Sequence, residues 1–131
     1  MLEHKTINNE EAILVGIIQN QIKEDLIKEH LDELELLAET AGAKVIGRVT
    51  QKISKINPAT FLGKGKANQL ITQAKEIKAK IIIFDQELTP AQIKNYHKLT
   101  KKIKVIDRSG LILDIFKKHA KTKEATTQVQ L

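Results

Sequence analysis

The sequence contains no cysteine and no tryptophan. Disulfide bonds and thiolate metal sites are therefore excluded, which fits a reducing compartment. Aromatic residues are scarce, only Phe61, Phe84, Tyr96 and Phe116. Phe84 and Phe116 fall in apolar patterns and are expected in the core. An aromatic platform for stacking bases is thus not expected, and contact with a nucleic acid would go to backbone and shape. No apolar run approaches the ~18 residues of a membrane helix. The opening MLEHKTINNEE is acidic and has no apolar centre, so it does not read as a secretory signal. Nor is there any internal repeat or low-complexity segment.

The most telling absence is of acids. Between Ala43 and Lys75 there is no Asp or Glu, while Lys44, Arg48, Lys52, Lys55, Lys64, Lys66 and Lys75 all fall there. The chain has 131 residues and a net charge of +6. Residues 1–39 hold ten acids against three lysines, so the remainder is strongly basic. Such a molecule turns one end toward a polyanion and the other away. The length suits one domain with a real core.

The apolar pattern alternates between two periods. Ala12–Ile18 is a continuous apolar run, as in a strand buried on both faces. Gln19–Lys23 reads as a polar loop. Leu26, Ile27, Leu31, Leu34, Leu37, Ala38 and Ala41 recur at helical spacing, and Gly42 stands where a helix ends in the left-handed conformation. Lys44–Ile53 reads as a strand with Val45, Gly47 and Val49 on one face and Ile46, Arg48, Thr50 and Lys52 on the other, a basic face suited to a sheet edge. Asn57-Pro58 marks a loop. After Gly63-Lys64-Gly65-Lys66, the positions Ala67, Leu70, Ile71, Ala74 and Ile77 mark a helix. Ile81–Phe84 is a third strand. Thr89, Pro90 and Gln92 form a helix start with a capping box, and Ile93 and Tyr96 are expected to face the core. Ile103–Ile106 is a fourth strand. Ser109 is expected to cap a last helix with Leu111, Ile112, Ile115 and Phe116 on its apolar side. Strands alternating with amphipathic helices predict an α/β fold: a mainly parallel sheet of about four strands with helices on both faces. Ligands in such folds gather beyond the carboxyl ends of the strands.

Two features could carry chemistry. Gly63-Lys64-Gly65-Lys66 opens a helix, where glycines admit an anion, free amides point at it and lysines add charge. The alternative is a turn whose glycines take positive φ. It is not a Walker A motif, since the spaced first glycine and the Lys-Ser/Thr pair are missing. Asp85 and Asp107 end apolar strands and could form a carboxylate pair or bind Mg²⁺. They could equally cap loops or helices, with Asp107 pairing to Arg108, and no catalytic set is expected without a third convergent group. The four histidines, His4, His30, His97 and His119, show no metal-ligand spacing, so no metal site is expected. The late run of Lys94, Lys98, Lys101, Lys102, Lys104, Arg108, Lys117, Lys118, Lys121 and Lys123 reads, residue by residue, as a solvated face.

Four segments in order, AETAGAKVIGRVTQK, NPATFLGKGKANQL, IIFDQELTPAQIKN and KVIDRSGLILDIFKKHAKTKEATTQVQL, resemble the N-terminal domain of the HflX family of ribosome-associated GTPases. The likeness runs from about residue 34 to the end and includes Pro58-Ala59-Thr60, Gly63 to Lys66, Asp85, Asp107-Arg108 and Leu111 to Phe116. It implies a division into an α/β domain over 1–119 and the start of a helical subdomain over 120–131, the G domain lying outside this chain. It implies binding to the large ribosomal subunit and its rRNA, in proteins that split or rescue stalled ribosomes, and packing against the protein's own G domain. GTP and Mg²⁺ are then expected for the full-length protein and no cofactor for this part. A monomer is expected, in the cytoplasm or peripherally at the membrane. The residues expected to meet rRNA phosphates are Arg48, Lys52, Lys55, Gly63, Lys64, Gly65 and Lys66. Asp85, Asp107 and Arg108 are the strand-end candidates. The competing reading is a nucleotide-binding or regulatory domain acting on the G domain.

Overall fold

The computed structural model describes residues 6–19 and 24–130, the last ten by backbone alone. The loop expected at Gln19–Lys23 lies, beyond Gln19, outside the described residues, as does His4. Four strands and four helices alternate: β1 (Glu11–Gln19), α1 (Glu24–Thr40), β2 (Lys44–Ile53), α2 (Lys64–Glu76), β3 (Ile81–Phe84), α3 (Pro90–Leu99), β4 (Lys104–Asp107) and α4 (Arg108–Gln130). The strands form one parallel sheet in the order β2-β1-β3-β4. The expected α/β fold is thus present. The chain steps from β1 to β2 on one side, then crosses to β3 on the other.

Both sheet faces are apolar where helices cover them. Leu14, Ile18, Ile81 and Ile83 pack with Ile27, Leu31, Leu34 and Leu111, which puts α1 and α4 on one face. Ile13, Val15, Ile82 and Phe84 pack with Leu70, Ile71 and Tyr96, which puts α2 and α3 on the other. That double covering explains why Ala12–Ile18 of β1 and all of β3 are apolar. At Gly16 the sheet admits a side chain only if its neighbours shift. A Cβ there would sit 3.0 Å from Ile27 Cγ2 and from Leu31 Cδ1, so α1 lies directly on β1.

Local signals were obeyed. Gly42 has φ of +96°, and Ala43 N–H reaches Ala38 O while Gly42 N–H reaches Glu39 O, closing α1. Thr89 and Gln92 cap each other at the start of α3. Three expectations were not met. The register of β1 and β2 shifts between Ala12 and Ile13, so Val45 packs with the α1/α4 cluster and Val49 with the other. The two valines therefore do not share a face, because the bulge inserts one residue. Ser109 does not cap α4. Asp107 does, its Oδ1 accepting the Gly110 amide at 2.8 Å. Phe116 and Ile112 are not core but 66% and 37% exposed. The buried side of α4 is Leu111, Asp114 and Ile115, with Lys118 partly covered, because Asp114 is sequestered there instead. The helix is continuous across residue 119.

Candidate nucleic-acid interface

α2 begins at the carboxyl edge of the sheet, beside the end of β2. Gly63 is its N-cap, with φ of −59° and ψ of 157°, and no side chain caps the first turn. Neither Gly63 nor Gly65 is among the positive-φ residues, so the turn does not require glycine for its geometry. What the glycines provide is access. A Cβ on either would meet nothing within 4 Å. The first turn carries Lys64 and Lys66 and no acid. Lys66 Nζ donates to the Lys52 carbonyl, which brings the start of α2 against the last residues of β2. An open depression of about 520 Å³ lies there, lined by Ile18, Lys52, Ile53, Ser54 and Lys66. Lys55 is exposed on the loop that leaves β2. Among the described residues, none of Lys52, Lys55, Lys64 and Lys66 is ion-paired with a carboxylate.

Arg48 stands apart from this group. Its guanidinium meets Asp32 at 2.8 Å and Glu35 at 3.0 Å, both on α1. Burial lowers the Arg48 pKa, but the hydrogen bonds it donates to Asp32 and Glu35, with the charges of those carboxylates, outweigh it, so the net shift is upward. The acidic face of α1 thus engages this part of the basic strand. Its charge is compensated in a way that the lysines' charge is not.

The strand-end candidates form a second cluster. Arg108 donates from Nε to Asp85 Oδ1 at 3.1 Å and from Nη2 to the His30 carbonyl at 3.1 Å. Asp85 is buried, and its other oxygen lies 3.7 Å from His30 Nδ1. Arg108 therefore pairs with Asp85, not with its neighbour Asp107 as expected. Asp107 spends one oxygen capping α4 and the other on the Leu88 amide at 2.9 Å. Ser109 donates to Glu87 at 2.5 Å. These groups satisfy one another and tie α1, β3 and α4 together. Among the described residues no set of three or more His, Asp or Glu is placed to hold a metal ion, and no helix is long and apolar enough to cross a membrane.

The loop between β2 and α2 is more ordered than its sequence suggested. Asn57 and Phe61 exchange N–H···O bonds of 2.8 Å in both directions. Asn57 Oδ1 accepts the amides of Ala59 and Thr60. Phe61, not a glycine, takes the positive φ, +64°, and is buried. From α3, Gln92 Nε2 donates to Asn57 O, Asn95 Nδ2 to Ala59 O and Tyr96 O–H to Thr60 O, at 3.0, 2.8 and 2.8 Å. Burial pushes the Tyr96 hydroxyl pKa up, so it stays a donor. Asn57-Pro58 signalled only a turn. The three donors sit about 35 residues away in sequence, and nothing local pointed to them.

Residues 28–117 match the GTP-binding GTPase N-terminal family. A protein named GTPase HflX from Flavobacterium psychrophilum is 48% identical over 131 residues, all of this chain and 32% of its own length. GTPase HflX of Escherichia coli is 39% identical over 122 residues, 93% of this chain and 28% of its own. The chain thus spans about a third of the length of the curated relatives it matches. Among solved structures, a crystal structure of SsGBP in complex with GDP superposes with a TM-score of 0.62 at 26% identity, covering 93% of this chain and 33% of that one. The SsGBP variant G235P gives a TM-score of 0.65, also at 26% identity, over 92% of this chain and 36% of that one. With more than half of its residues matched by the family and its whole length matched by relatives, the chain belongs to the N-terminal domain family of HflX-type GTPases.

Proposed function

We propose that this domain is a ribosome-binding module, holding large-subunit rRNA through phosphates at the carboxyl edge of its sheet. The supporting observation is Lys66 held against Lys52 beside an uncapped, glycine-opened helix start that also carries Lys64, with Lys55 exposed on the loop before it and no carboxylate paired to these lysines among the described residues. Amides at a helix start and lysines beside them suit a phosphate oxygen. In the longer protein the module would serve the splitting or rescue of stalled ribosomes, in the cytoplasm and as a monomer. GTP and Mg²⁺ would belong to the G domain. This chain has no Gly-x-x-x-x-Gly-Lys-Ser/Thr run and would not itself hydrolyse GTP.

Co-sedimentation with large subunits tests this. Four phosphate contacts give a salt slope of roughly −2.8 to −3.6, so affinity should fall roughly 50- to 150-fold between 50 and 200 mM salt. Replacing Lys64 and Lys66 with Gln should halve the slope. An affinity indifferent to salt, or unchanged in the double variant, overturns the reading. The domain would then be left as a packing partner of the G domain.

A further inference from the structure

We propose that the loop leaving β2 carries an apolar wedge, Ile56 with Pro58, that seats an unstacked RNA base, so that the domain selects looped or single-stranded RNA over continuous duplex. The proposal rests on the RNA-binding reading above and adds what kind of RNA is taken.

Three observations carry it. The first is exposure: Ile56 is 48% exposed, and Pro58 and Ala59 beside it are also open to solvent. The second is rigidity. Pro58 lies within a tip closed by the paired Asn57–Phe61 bonds and fastened by Gln92, Asn95 and Tyr96 of α3, and Ile56 immediately precedes it. A tip already ordered loses little freedom when a partner arrives. Phe61 holds a left-handed backbone to make that shape, a conformation rare for a bulky residue. The third is charge. Lys52 and Lys55 precede the tip and Lys64 and Lys66 follow it, with no acid between Ala43 and Lys75. A surface this cationic fits a polyanion.

RNA is favoured over an anionic lipid surface because the apolar part is so small. Membrane seating calls for a broad apolar face, whereas this tip offers one isoleucine and one proline. In DNA complexes, isoleucine and proline are among the side chains that proteins press against base faces. A continuous A-form duplex keeps its base faces stacked and presents only backbone and a shallow groove, while loops and bulges expose whole bases. The lysines would hold phosphates on either side, and the wedge would meet the face of a base between them.

Fluorescence anisotropy on the whole chain tests this with two RNAs of equal phosphate count, a fully paired duplex and a hairpin with an unpaired internal loop. The parent should bind the looped RNA about tenfold more tightly, the order set by withdrawing half an isoleucine side chain from water. Ile56→Ser should lower looped-RNA affinity to the duplex level, leaving duplex affinity and the salt slope unchanged. Lys64→Gln with Lys66→Gln should weaken both RNAs alike. Equal affinity of the parent for the two RNAs overturns the wedge, as does an Ile56→Ser variant that weakens both equally. So does loss of binding to phosphatidylserine vesicles in that variant with RNA binding intact. Absence of binding to either RNA refutes the RNA-binding reading itself. Because Ile56 is half exposed, matching thermal melts will show that the variant is folded.

Discussion

Asp114 offers the strongest test of how the N-terminal segment is fastened to the domain. Its side chain is fully buried. Oδ1 accepts the amide of buried Ile7 at 3.1 Å, and Oδ2 lies 3.6 Å from Lys118 Nζ. Lys118 in turn donates to the carbonyls of Ile7 and Ala41, joining α4 to the end of α1. Asp114→Ala removes a charge-assisted hydrogen bond, about 1.5–3 kcal/mol. Breaking a fully buried pair costs about 3–5 kcal/mol, which is a ceiling here. The Lys118 side chain is 34% exposed and keeps its two carbonyls. We expect about 2–4 kcal/mol. With an unfolding entropy of about 2.1 cal/mol/K per residue, 131 residues give about 0.28 kcal/mol/K, so Tm should fall roughly 7–14 °C. Calorimetry reads the shift, and hydrogen exchange should show the Ile7 amide losing protection first. Asp114→Asn, which keeps an acceptor, should lose about half as much. A melting point within about 2 °C of the parent for Asp114→Ala would refute the fastening role.

Other outcomes follow from the same packing. His97 Nε2 accepts the Val105 amide at 3.2 Å, which needs a neutral ring, and burial, with Lys104 second, lowers its pKa. The unfolded chain then takes the proton more readily, at about pH 6.5, so this stability is complete above that value and is lost as pH falls toward the folded pKa. Urea titrations from about pH 7.5 to 5 should show the decline, and His97→Gln should flatten it; parallel curves would contradict it. Gly16→Ala should cost about 1–3 kcal/mol by forcing α1 off β1, and a chemical-denaturation midpoint equal to the parent's would show that the contact yields freely.

What could be read from the sequence was what is local or periodic. Gly42, the Thr89–Gln92 box and the apolar runs of β1 and β3 each state their conformation within a few residues. The basic turn was also visible, because charge and glycine are written in the composition. Contacts that depend on how elements meet were not visible. Arg108 sits next to Asp107 in the chain but turns to Asp85, because Asp107 is already held by two amides. Lys118 looked like one more solvated lysine, yet two carbonyls from distant segments converge on it. Phe116 looked like core by residue type, and the helix buries Asp114 in its stead. The left-handed backbone of Phe61 has no signature in residue type at all.

The fastening of the β2–α2 loop has an evolutionary corollary. Gln92, Asn95 and Tyr96 all grip main-chain carbonyls, which every amino acid supplies. Folding therefore constrains α3 and Asn57, and leaves position 56, outside the closed turn, nearly indifferent to identity. That position is free to suit whatever surface it meets, and the target could be retuned there without renegotiating the architecture.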